Sequence, residues 1–453
     1  MSRILVVGGN AAGMTAASRA KRLDPSLEIT ILEASSRIAY SICGLPYFLS
    51  GLVRDLSELE LYSPESLMNE RGIEARVQCR VVELRALQRK IVVEHAHPAR
   101  RDTLSYDKLL IATGYRPITP DIDGVHVNGV FTASRLGDAD AIASWLSSKR
   151  ARRAVVIGGG YVGLEVAEAM VARGLTVTLV DAATQIFSTL DPDMAKLVED
   201  ELSLHGVHVM THRRARRIAA KRDGDVDAVE LAAGSLRIPG DLVFIDVGVV
   251  PSVELAANAG VALGPTGAIA VNDRLETNLP GVYAAGNCAE THHLVTERPS
   301  FIPLGTVAAK QGRVAGENLA GRRSRFIGAV GTSIVKVFDI VAAKTGLNVR
   351  EAEHAGFSPI VSTVVARARA HYFGGAPASV KVIADRDSER LLGAQIVGSA
   401  RAASAIDVAA AALTARMTVR EASQLDLAYA PPAGALWNPL LVALNTLTRE
   451  LER

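Results

Sequence analysis

The stretch AVVIGGGYVGLEVAEAMVARGLTVTLVDA, residues 154–182, determines the fold that we expect for this chain. A short β-rich run leads into a glycine turn, an alanine-rich helical stretch follows, and a second β-rich run ends at an acid. Gly158, Gly160 and Gly163 permit a tight turn and let the backbone approach a pyrophosphate closely. Asp181 ends the unit, where an acid accepts hydrogen bonds from a ribose. The pattern predicts a strand–turn–helix–strand unit that binds a dinucleotide.

The same pattern occurs a second time near the N-terminus. The stretch ILVVGGNAAGMTAASRAKRLDPSLEITILEA, residues 4–34, contains Gly8 and Gly13 and has Glu33 as its terminal acid, but Asn10 replaces the middle glycine. One glycine pattern is weak evidence, because ordinary βα turns also contain glycines. Two copies, each with an acid at the right place, predict two dinucleotide sites.

Composition limits the other classes of function. A chain of 453 residues is long enough for two or three domains. The net charge of +2 gives no general field that would attract nucleic acid or an anionic membrane. Three cysteines make no disulfide framework, and the start MSRILVVGG lacks the features of a signal peptide. We therefore expect a cytoplasmic protein that binds neither nucleic acid nor membrane, and the spacing of the histidines and cysteines predicts no metal site.

Longer stretches carry a resemblance to a known family. Two of them resemble the strand-end signatures of flavoproteins with two dinucleotide sites, namely YDKLLIATGYRP (106–117) and TNLPGVYAAGNCAE (277–290). Four more resemble one branch of the pyridine nucleotide–disulfide oxidoreductase superfamily: SICGLPYFLSG (41–51), PLGTVAAKQGRVAGENLAG (303–321), GTSIVKVFDIVAAKTGL (331–347) and LDLAYAPP (425–432). That branch has a single redox cysteine and contains coenzyme A-disulfide reductases, NADH:polysulfide or persulfide reductases, and NADH oxidases and peroxidases.

The resemblance implies a domain organisation. We expect an α/β protein with two Rossmann-like dinucleotide-binding domains and a C-terminal α+β dimerisation domain. The expected boundaries are 1–115 with 250–325 for a split FAD-binding domain, 116–249 for an NAD(H)-binding domain, and 326–453 for the dimerisation domain. The chain should form a homodimer. Within the last domain, WNPLLVALNTL (437–447) predicts a helix with an apolar stripe that begins at Trp437.

The resemblance also implies the cofactors. FAD is expected in the first site, with these contact residues: Gly8, Asn10, Ala11, Ala12, Gly13, Glu33, Ser41, Val81, Thr113, Gly114, Asn287, Leu304 and Thr306. Relatives usually have aspartate where this chain has Asn287. The second site is expected to bind a nicotinamide nucleotide through Gly158, Gly160, Tyr161, Gly163, Glu165, Asp181 and Gly248. NADH is favoured over NADPH, because the Asp181 carboxylate would repel a 2′-phosphate and residues 182–187 contain no arginine.

Cys43 is the candidate redox centre. The position four residues earlier is Ala39, so Cys43 cannot form the local disulfide of two-cysteine relatives. In the family this cysteine lies at a helix start beside the flavin, where the helix dipole favours the thiolate. A dipole contributes about 0.3–1 kcal/mol, up to ~2 in favourable geometry, so the dipole alone would lower the thiol pKa by about one unit, and a larger fall would need hydrogen-bond donors or contact with the flavin ring. The thiolate would form a mixed disulfide or cycle through a sulfenic acid.

Other residues are candidates through the resemblance. Tyr161 resembles the residue that gates access to the flavin, and Glu165 is a candidate to face the nicotinamide, with its role left open. Arg19 and Arg22 lie on one face of the first helix, where coenzyme A-using relatives bind the phosphates of that molecule. Tyr429 and Tyr372 are candidate catalytic residues that would act in the active site of the partner subunit.

These features predict an FAD-dependent enzyme that passes electrons from NADH through the flavin and Cys43 to a coenzyme A disulfide, a persulfide or polysulfide. An NADH oxidase or peroxidase that cycles through a Cys43 sulfenic acid is the alternative enzyme. A flavin electron carrier or redox sensor that acts by binding a partner is an alternative of another class. Coenzyme A-disulfide reductases that resemble the chain have a tyrosine after the Pro-Pro pair, whereas this chain has Ala433.

Overall fold

A computed structural model gives the fold of residues 2–132, 136–232 and 236–452. The first part contains β1 (Arg3–Val7), α1 (Ala11–Leu23), β2 (Glu28–Leu32), α2 (Leu45–Ser50), α3 (Pro64–Arg71), β3 (Glu74–Arg76), β4 (Cys79–Arg85), β5 (Lys90–His95), β6 (Arg100–Ser105), β7 (Lys108–Ile111), β8 (Tyr115–Pro117) and β9 (Val130–Phe131). The next part contains α4 (Leu136–Lys149), β10 (Arg153–Ile157), α5 (Tyr161–Ala172), β11 (Thr176–Val180), α6 (Pro192–Leu204), β12 (His208–Met210), β13 (Ala215–Ala220), β14 (Val226–Leu231), β15 (Arg237–Pro239), β16 (Leu242–Ile245), β17 (Val249–Pro251) and α7 (Glu254–Ala257). The last part contains β18 (Val282–Ala284), β19 (Thr291–His293), β20 (Arg298–Ser300), α8 (Gly305–Leu319), β21 (Ser333–Val337), β22 (Ile340–Gly346), α9 (Val349–Ala355), β23 (Pro359–Arg367), β24 (Pro377–Asp385), β25 (Leu391–Gly398), α10 (Ala400–Ala403), α11 (Ile406–Thr414), α12 (Val419–Ser423) and α13 (Pro439–Leu451).

Each of the two Rossmann units is built around a five-stranded parallel sheet. The sheet of the first Rossmann unit has the order β18-β7-β1-β2-β3, and that of the second unit has the order β12-β11-β10-β16-β9. In both, the central strands are almost entirely buried, as is typical of parallel sheets covered on both faces. Each sheet is accompanied by a small antiparallel sheet, β4-β5-β6 in the first unit and β13-β14-β15 in the second. The predicted α/β class is confirmed.

The chain passes between the two Rossmann units at a pair of short strands. β8 leads out of the first unit and β17 leads back, and the two pair antiparallel. β18 then joins the first sheet beside β7. The first unit is therefore built from two separate parts of the chain.

The C-terminal unit is an antiparallel sheet of order β21-β22-β25-β24-β23 that packs against α11, α12 and α13. α13 buries Leu440, Leu441, Leu444 and Leu447, as the apolar stripe predicted. Trp437 was wrongly included in that stripe. The helix begins at Pro439, and Trp437 precedes it with 60% of its surface exposed.

A buried polar group joins the C-terminal sheet to the second Rossmann unit. Lys381 Nζ of β24 lies 3.1 Å from Asp191 Oδ2 at the start of α6. Gln395 of β25 donates from Nε2 to the same oxygen at 2.9 Å and accepts from the Asp191 backbone N–H at 2.9 Å. Buried charges of this kind are costly unless they are paired, so these contacts fix the two units in one relative position. Within the described ranges, no helix is both long and apolar enough to cross a bilayer.

Candidate active site

The first glycine turn has the shape that a dinucleotide site requires. Gly8 has φ of +107°, and a Cβ atom there would lie 2.2 Å from the carbonyl oxygen of Ala112. Glu33 follows β2, and its carboxylate accepts hydrogen bonds from the backbone N–H groups of Gly9 (2.9 Å) and Ser35 (2.8 Å). The backbone therefore holds the ribose-binding acid beside the turn before any ligand binds.

The other residues predicted to contact FAD follow the carboxyl ends of neighbouring strands. Ala11, Ala12 and Gly13 open α1, with Asn10 as its N-cap, and Leu304 and Thr306 lie at the start of α8. Thr113 and Gly114 follow β7, and Asn287 follows β18. Ser41 precedes the 3₁₀ turn that contains Cys43, and Val81 lies on β4. Carboxyl ends of parallel strands share one edge of a sheet, which is where dinucleotides bind in such folds.

The side-chain oxygen of Asn287 tests whether this edge of the sheet fits FAD. Its Oδ1 atom is buried and finds no hydrogen-bond partner among the described residues. A buried acceptor without a donor costs about 1–3 kcal/mol. A ligand with hydroxyl groups, such as FAD, would supply the donor, so the residues at this edge fit the flavin dinucleotide although Asn287 lacks the usual negative charge.

The second glycine turn repeats this geometry. Gly158 has φ of +104°, and a Cβ atom there would lie 1.9 Å from the carbonyl oxygen of Asp246. The Asp181 carboxylate accepts from the backbone N–H groups of Gly159 and Ala183, both at 2.8 Å. Gly160 is the N-cap of α5 and Gly248 lies directly before β17. These residues fit the adenosine half of a nicotinamide nucleotide.

Asp246 is a site residue that the sequence analysis missed. It follows β16, and its Oδ2 atom accepts from the Gly163 N–H at 2.9 Å. Burial, followed by the nearby charge of Asp181, raises the pKa of this carboxyl. An acid at the end of the apolar run LVFID was a signal in the sequence, but its position beside the glycine turn depends on long-range pairing of β16 with β10.

Arg213 was also missed, although it lies beside the ribose-binding acid. The N–H of Arg213 donates to the Asp181 carbonyl at 2.9 Å, and the N–H of His212 donates to the Ala183 carbonyl at 2.8 Å. The prediction considered only residues 182–187, whereas the sheet places the end of β12 next to the end of β11. The backbone of Arg213 thus borders the adenosine end of the site.

Tyr161 is held at the start of α5 by two residues that the sequence did not indicate. Its hydroxyl is hydrogen-bonded to Ser333 Oγ, which belongs to β21 of the C-terminal unit. Its ring packs edge-on against Phe187, with 4.7 Å between ring centroids. Burial raises the pKa of the phenol. These two contacts therefore hold the side chain of Tyr161, the predicted gate residue, in one rotamer.

Cys43 lies in a 3₁₀ turn, Ile42–Gly44, that runs directly into α2. The residue is exposed by surface area, yet enough protein surrounds the sulfur that burial is the main influence on its ionisation. Burial, and then the negative charge of Glu165, raise the pKa of the thiol. The dipole of a helix of six residues therefore does not outweigh burial and a nearby acid.

Glu165 has the largest upward shift near the redox centre. Burial, with the charges of Glu168 and Asp246, raises its pKa to about 7. Glu165 and Glu168 line a cavity of about 270 Å³ between α2 and α5, together with Tyr47 and Lys336. Lys336 is paired with Glu168, and among the residues that the structure describes Glu165 has no ion-pair partner.

The remaining candidates lie on other elements than the turn that contains Cys43. Cys79 and Cys288 are buried and free, and Cys79 Sγ lies 3.2 Å from His95 Nδ1 on the small antiparallel sheet. Arg19 is paired with Glu317 of α8 at 2.6 Å, whereas Arg22 is exposed. Tyr372 and Tyr429 lie in the C-terminal unit with 66% and 51% of their surfaces exposed.

Two glycine turns with the shape of dinucleotide sites, in a chain with one exposed thiol, are typical of a nicotinamide- and flavin-dependent redox enzyme. The chain belongs to the pyridine nucleotide-disulphide oxidoreductase family: the family model matches residues 2–312, and the model of the family's dimerisation domain matches residues 332–438. The resemblance that the sequence suggested is thereby confirmed.

Named relatives cover nearly the whole chain. A Pyrococcus horikoshii protein named NAD(P)H coenzyme A polysulfide/persulfide reductase is 36% identical over 98% of both chains. A Methanocaldococcus jannaschii protein named NADH oxidase is 32% identical over 99% of both. The solved structure of an NAD-dependent persulfide reductase from A. fulgidus matches with a TM-score of 0.96 and 36% identity, over 99% of this chain and 83% of that one.

Proposed function

We propose that this protein is a homodimeric, FAD-containing reductase that uses NADH to reduce persulfide or polysulfide sulfur through Cys43, with coenzyme A disulfide as a poorer substrate. The observation that carries the proposal is one exposed thiol at the start of α2, while Cys79 and Cys288 are buried. The names of the relatives support the substrate class, and the match to a dimerisation domain supports the homodimer.

The overall reaction would be NADH + H⁺ + RSSH → NAD⁺ + RSH + H₂S. When bound, the flavin supplies the transfer of two electrons from the nicotinamide to sulfur. The Cys43 thiolate attacks one sulfur of the persulfide, a bond forms between Cys43 and that sulfur, and the other fragment leaves as a thiolate or hydrosulfide. Asp181 and the second glycine turn orient the nucleotide, and Tyr161 restricts access to the nicotinamide position.

Ala433 is the reason for placing persulfide before coenzyme A disulfide. It is exposed in the segment after Pro431–Pro432, and a methyl group cannot donate a proton to a leaving thiolate. General-acid help of this kind is worth about 10²–10⁴-fold. Attack on the inner sulfur of a persulfide releases hydrosulfide, which is a weaker base than the alkyl thiolate that a coenzyme A disulfide releases. Turnover of the disulfide should therefore be slowed more by the missing proton donor.

The test is Cys43→Ser in the flavin-loaded enzyme. We expect flavin reduction by NADH to persist in stopped-flow measurements, while turnover with glutathione persulfide, polysulfide or coenzyme A disulfide falls by more than about 1000-fold. Cys79→Ser is the matched control and should keep turnover. Undiminished persulfide reduction by Cys43→Ser would favour an electron carrier, and a parent enzyme that turns over peroxide or oxygen but not sulfur substrates would favour the oxidase.

A further inference from the structure

We propose that Glu201, His205 and Asp339 form a binding site for a divalent transition-metal ion, with Zn²⁺ as the probe of choice. The three ligand atoms lie within 4.8 Å of one another. Glu201 and His205 belong to the end of α6 in the second Rossmann unit, and Asp339 lies in the turn between β21 and β22 of the C-terminal unit. The spacing of histidines and cysteines in the sequence gave no sign of this site, since two of its ligands are carboxylates and one comes from a distant part of the chain.

The distances suit a shared cation better than hydrogen bonds. His205 Nε2 lies 3.2 Å from Glu201 Oε1 and 3.4 Å from Asp339 Oδ2. A charge-assisted hydrogen bond would be about 2.7–2.9 Å long, and the buried Nε2 atom makes no hydrogen bond with any described residue. Nitrogen and oxygen ligands lie about 2.0–2.2 Å from zinc, so two ligands of a tetrahedral ion are about 3.4 Å apart. The two separations from His205 Nε2 are close to that edge length.

The surrounding structure orients all three ligands before metal binds. Glu201 and His205 are four residues apart and share one face of the helix end. Phe338 stacks on the imidazole of His205 with a centroid distance of 4.1 Å and an interplanar angle of 2°. The N–H of Asp339 donates to Glu201 Oε1 at 2.8 Å, which ties the hairpin turn to the helix. Such outer contacts are what fix ligand orientation in metal sites.

The turn that presents Asp339 has an unusual backbone. Phe338 has φ of +48°, in the left-handed region that bulky side chains rarely adopt. Its N–H donates to Glu168 Oε2 at 2.9 Å, so carboxylates of α5 and α6 hold the turn on both sides. Backbone strain of this kind persists where the surroundings enforce it, and it concentrates at functional positions. Here it places the Asp339 carboxylate beside Nε2.

The exposure of the ligands suits an ion that enters from solvent. The side chain of Glu201 is 10% exposed, that of His205 is 30% exposed and that of Asp339 is 85% exposed. Two carboxylates and a neutral imidazole neutralise a divalent cation and leave a fourth position for water. A bound ion would join α6 to the β21–β22 hairpin, and it would therefore strengthen the junction between the second Rossmann unit and the C-terminal unit.

The test is titration of the flavin-loaded, chelator-treated protein with ZnCl₂ by calorimetry, in a Cys43→Ser background so that the exposed thiol does not bind zinc. We expect one Zn²⁺ per chain and a rise of at least about 2 °C in the thermal midpoint at saturation. His205→Asn and Asp339→Asn should each weaken binding by more than about 10-fold. His354→Asn alters another imidazole outside the site, and it should leave the affinity for Zn²⁺ unchanged.

The outcomes are separable from those of the proposed function, because the readouts are binding and stability. No stoichiometric binding in the parent, or the same affinity in Asp339→Asn as in the parent, would overturn the site. Asp339 is exposed in a turn, so Asp339→Asn provides a decisive variant even where His205→Asn disturbs packing against Phe338.

Discussion

Glu165 links the ionisation of a buried acid to the reactivity of Cys43. Because the negative charge of Glu165 contributes to the raised pKa of the thiol, we expect Glu165→Gln to lower that pKa and increase the thiolate fraction near neutral pH. The rate of alkylation by iodoacetamide, measured as a function of pH, reports this pKa. An unchanged alkylation profile would show that burial alone sets the pKa of Cys43.

The same acid should affect stability in a pH-dependent way. Its pKa is 4.5 ordinarily and about 7 in the fold, so the folded state binds the proton more tightly between these values. The free energy of unfolding should therefore fall as pH rises through this window, by up to about 3 kcal/mol from this group. Glu165→Gln should lose that part of the pH dependence in urea titrations. Glu199→Gln, which alters a partly buried carboxylate of α6 that pairs with Lys196, is the control and should retain that pH dependence.

Asp181 and Arg213 act in opposite directions on the choice of nucleotide. The carboxylate disfavours a 2′-phosphate, whereas the neighbouring guanidinium would attract one. We expect the parent to reduce its flavin faster with NADH than with NADPH, and Asp181→Ala to narrow the ratio of kcat/KM by about 10-fold or more. A second substitution, Arg213→Gln in the Asp181→Ala variant, should remove the increase in kcat/KM with NADPH. Equal kcat/KM values for both nucleotides in the parent would contradict the role of Asp181.

At the scale of single residues, the sequence predicted what is local. The glycines, Glu33, Asp181 and Cys43 could be found because each belongs to a short pattern with fixed spacing. Asp246 and Ser333 could not, since long-range strand pairing and packing of the C-terminal unit bring them to the site. The net pKa shift of Cys43 could not be predicted for the same reason, because burial is a property of the tertiary structure.

The helix that follows the redox thiol, α2, is short, and a side chain of α5 contacts its end. Arg173, at the end of α5, donates from Nε to the Leu49 carbonyl at 2.6 Å and from Nη2 to the Phe48 carbonyl at 3.4 Å. These carbonyls end α2, where a cation interacts favourably with the helix dipole. We expect Arg173→Met to speed amide hydrogen exchange in residues 45–51 by several-fold, roughly as loss of about 1 kcal/mol of local stability implies.

The matched control is Arg152→Met, which also removes an exposed guanidinium near α5 but no contact with α2. In Arg152→Met, the rate of amide hydrogen exchange in residues 45–51 should equal that of the parent. If Arg173→Met also leaves it unchanged, α2 is held by its apolar contacts with α5 instead.

Elements with a strong periodic signal were predicted, and their ends were not. The two strand–turn–helix–strand units lie where the sequence placed them. The apolar stretch at 402–415 reads as one buried helix, but the structure divides it into α10 and α11. The start of α13 was placed too early because Trp437 continues the apolar period, whereas Pro439 at the first turn sets the actual beginning.

At the scale of the whole molecule, we propose that Tyr429 contributes to an active site shared between subunits. Tyr429 lies in the C-terminal unit with 51% of its surface exposed, and the segment that carries it follows α12 within the matched dimerisation domain. An aromatic side chain left this open in one chain is typical of an interface position. The proposed homodimer would therefore bring Tyr429 of one subunit to Cys43 of the other.

Heterodimers distinguish this arrangement from one in which each subunit works alone. Cys43→Ser and Tyr429→Phe chains carrying different affinity tags would be co-expressed, and the mixed dimer isolated. If Tyr429 acts in trans, one site receives both lesions and the other receives neither, because its Cys43 faces the intact Tyr429 of the Cys43→Ser chain. We then expect about half of the parent turnover with persulfide. If Tyr429 acts within its own chain, every site carries one lesion, and turnover should equal half of that of the Tyr429→Phe homodimer. A Tyr429→Phe homodimer with full activity would remove Tyr429 from the mechanism altogether.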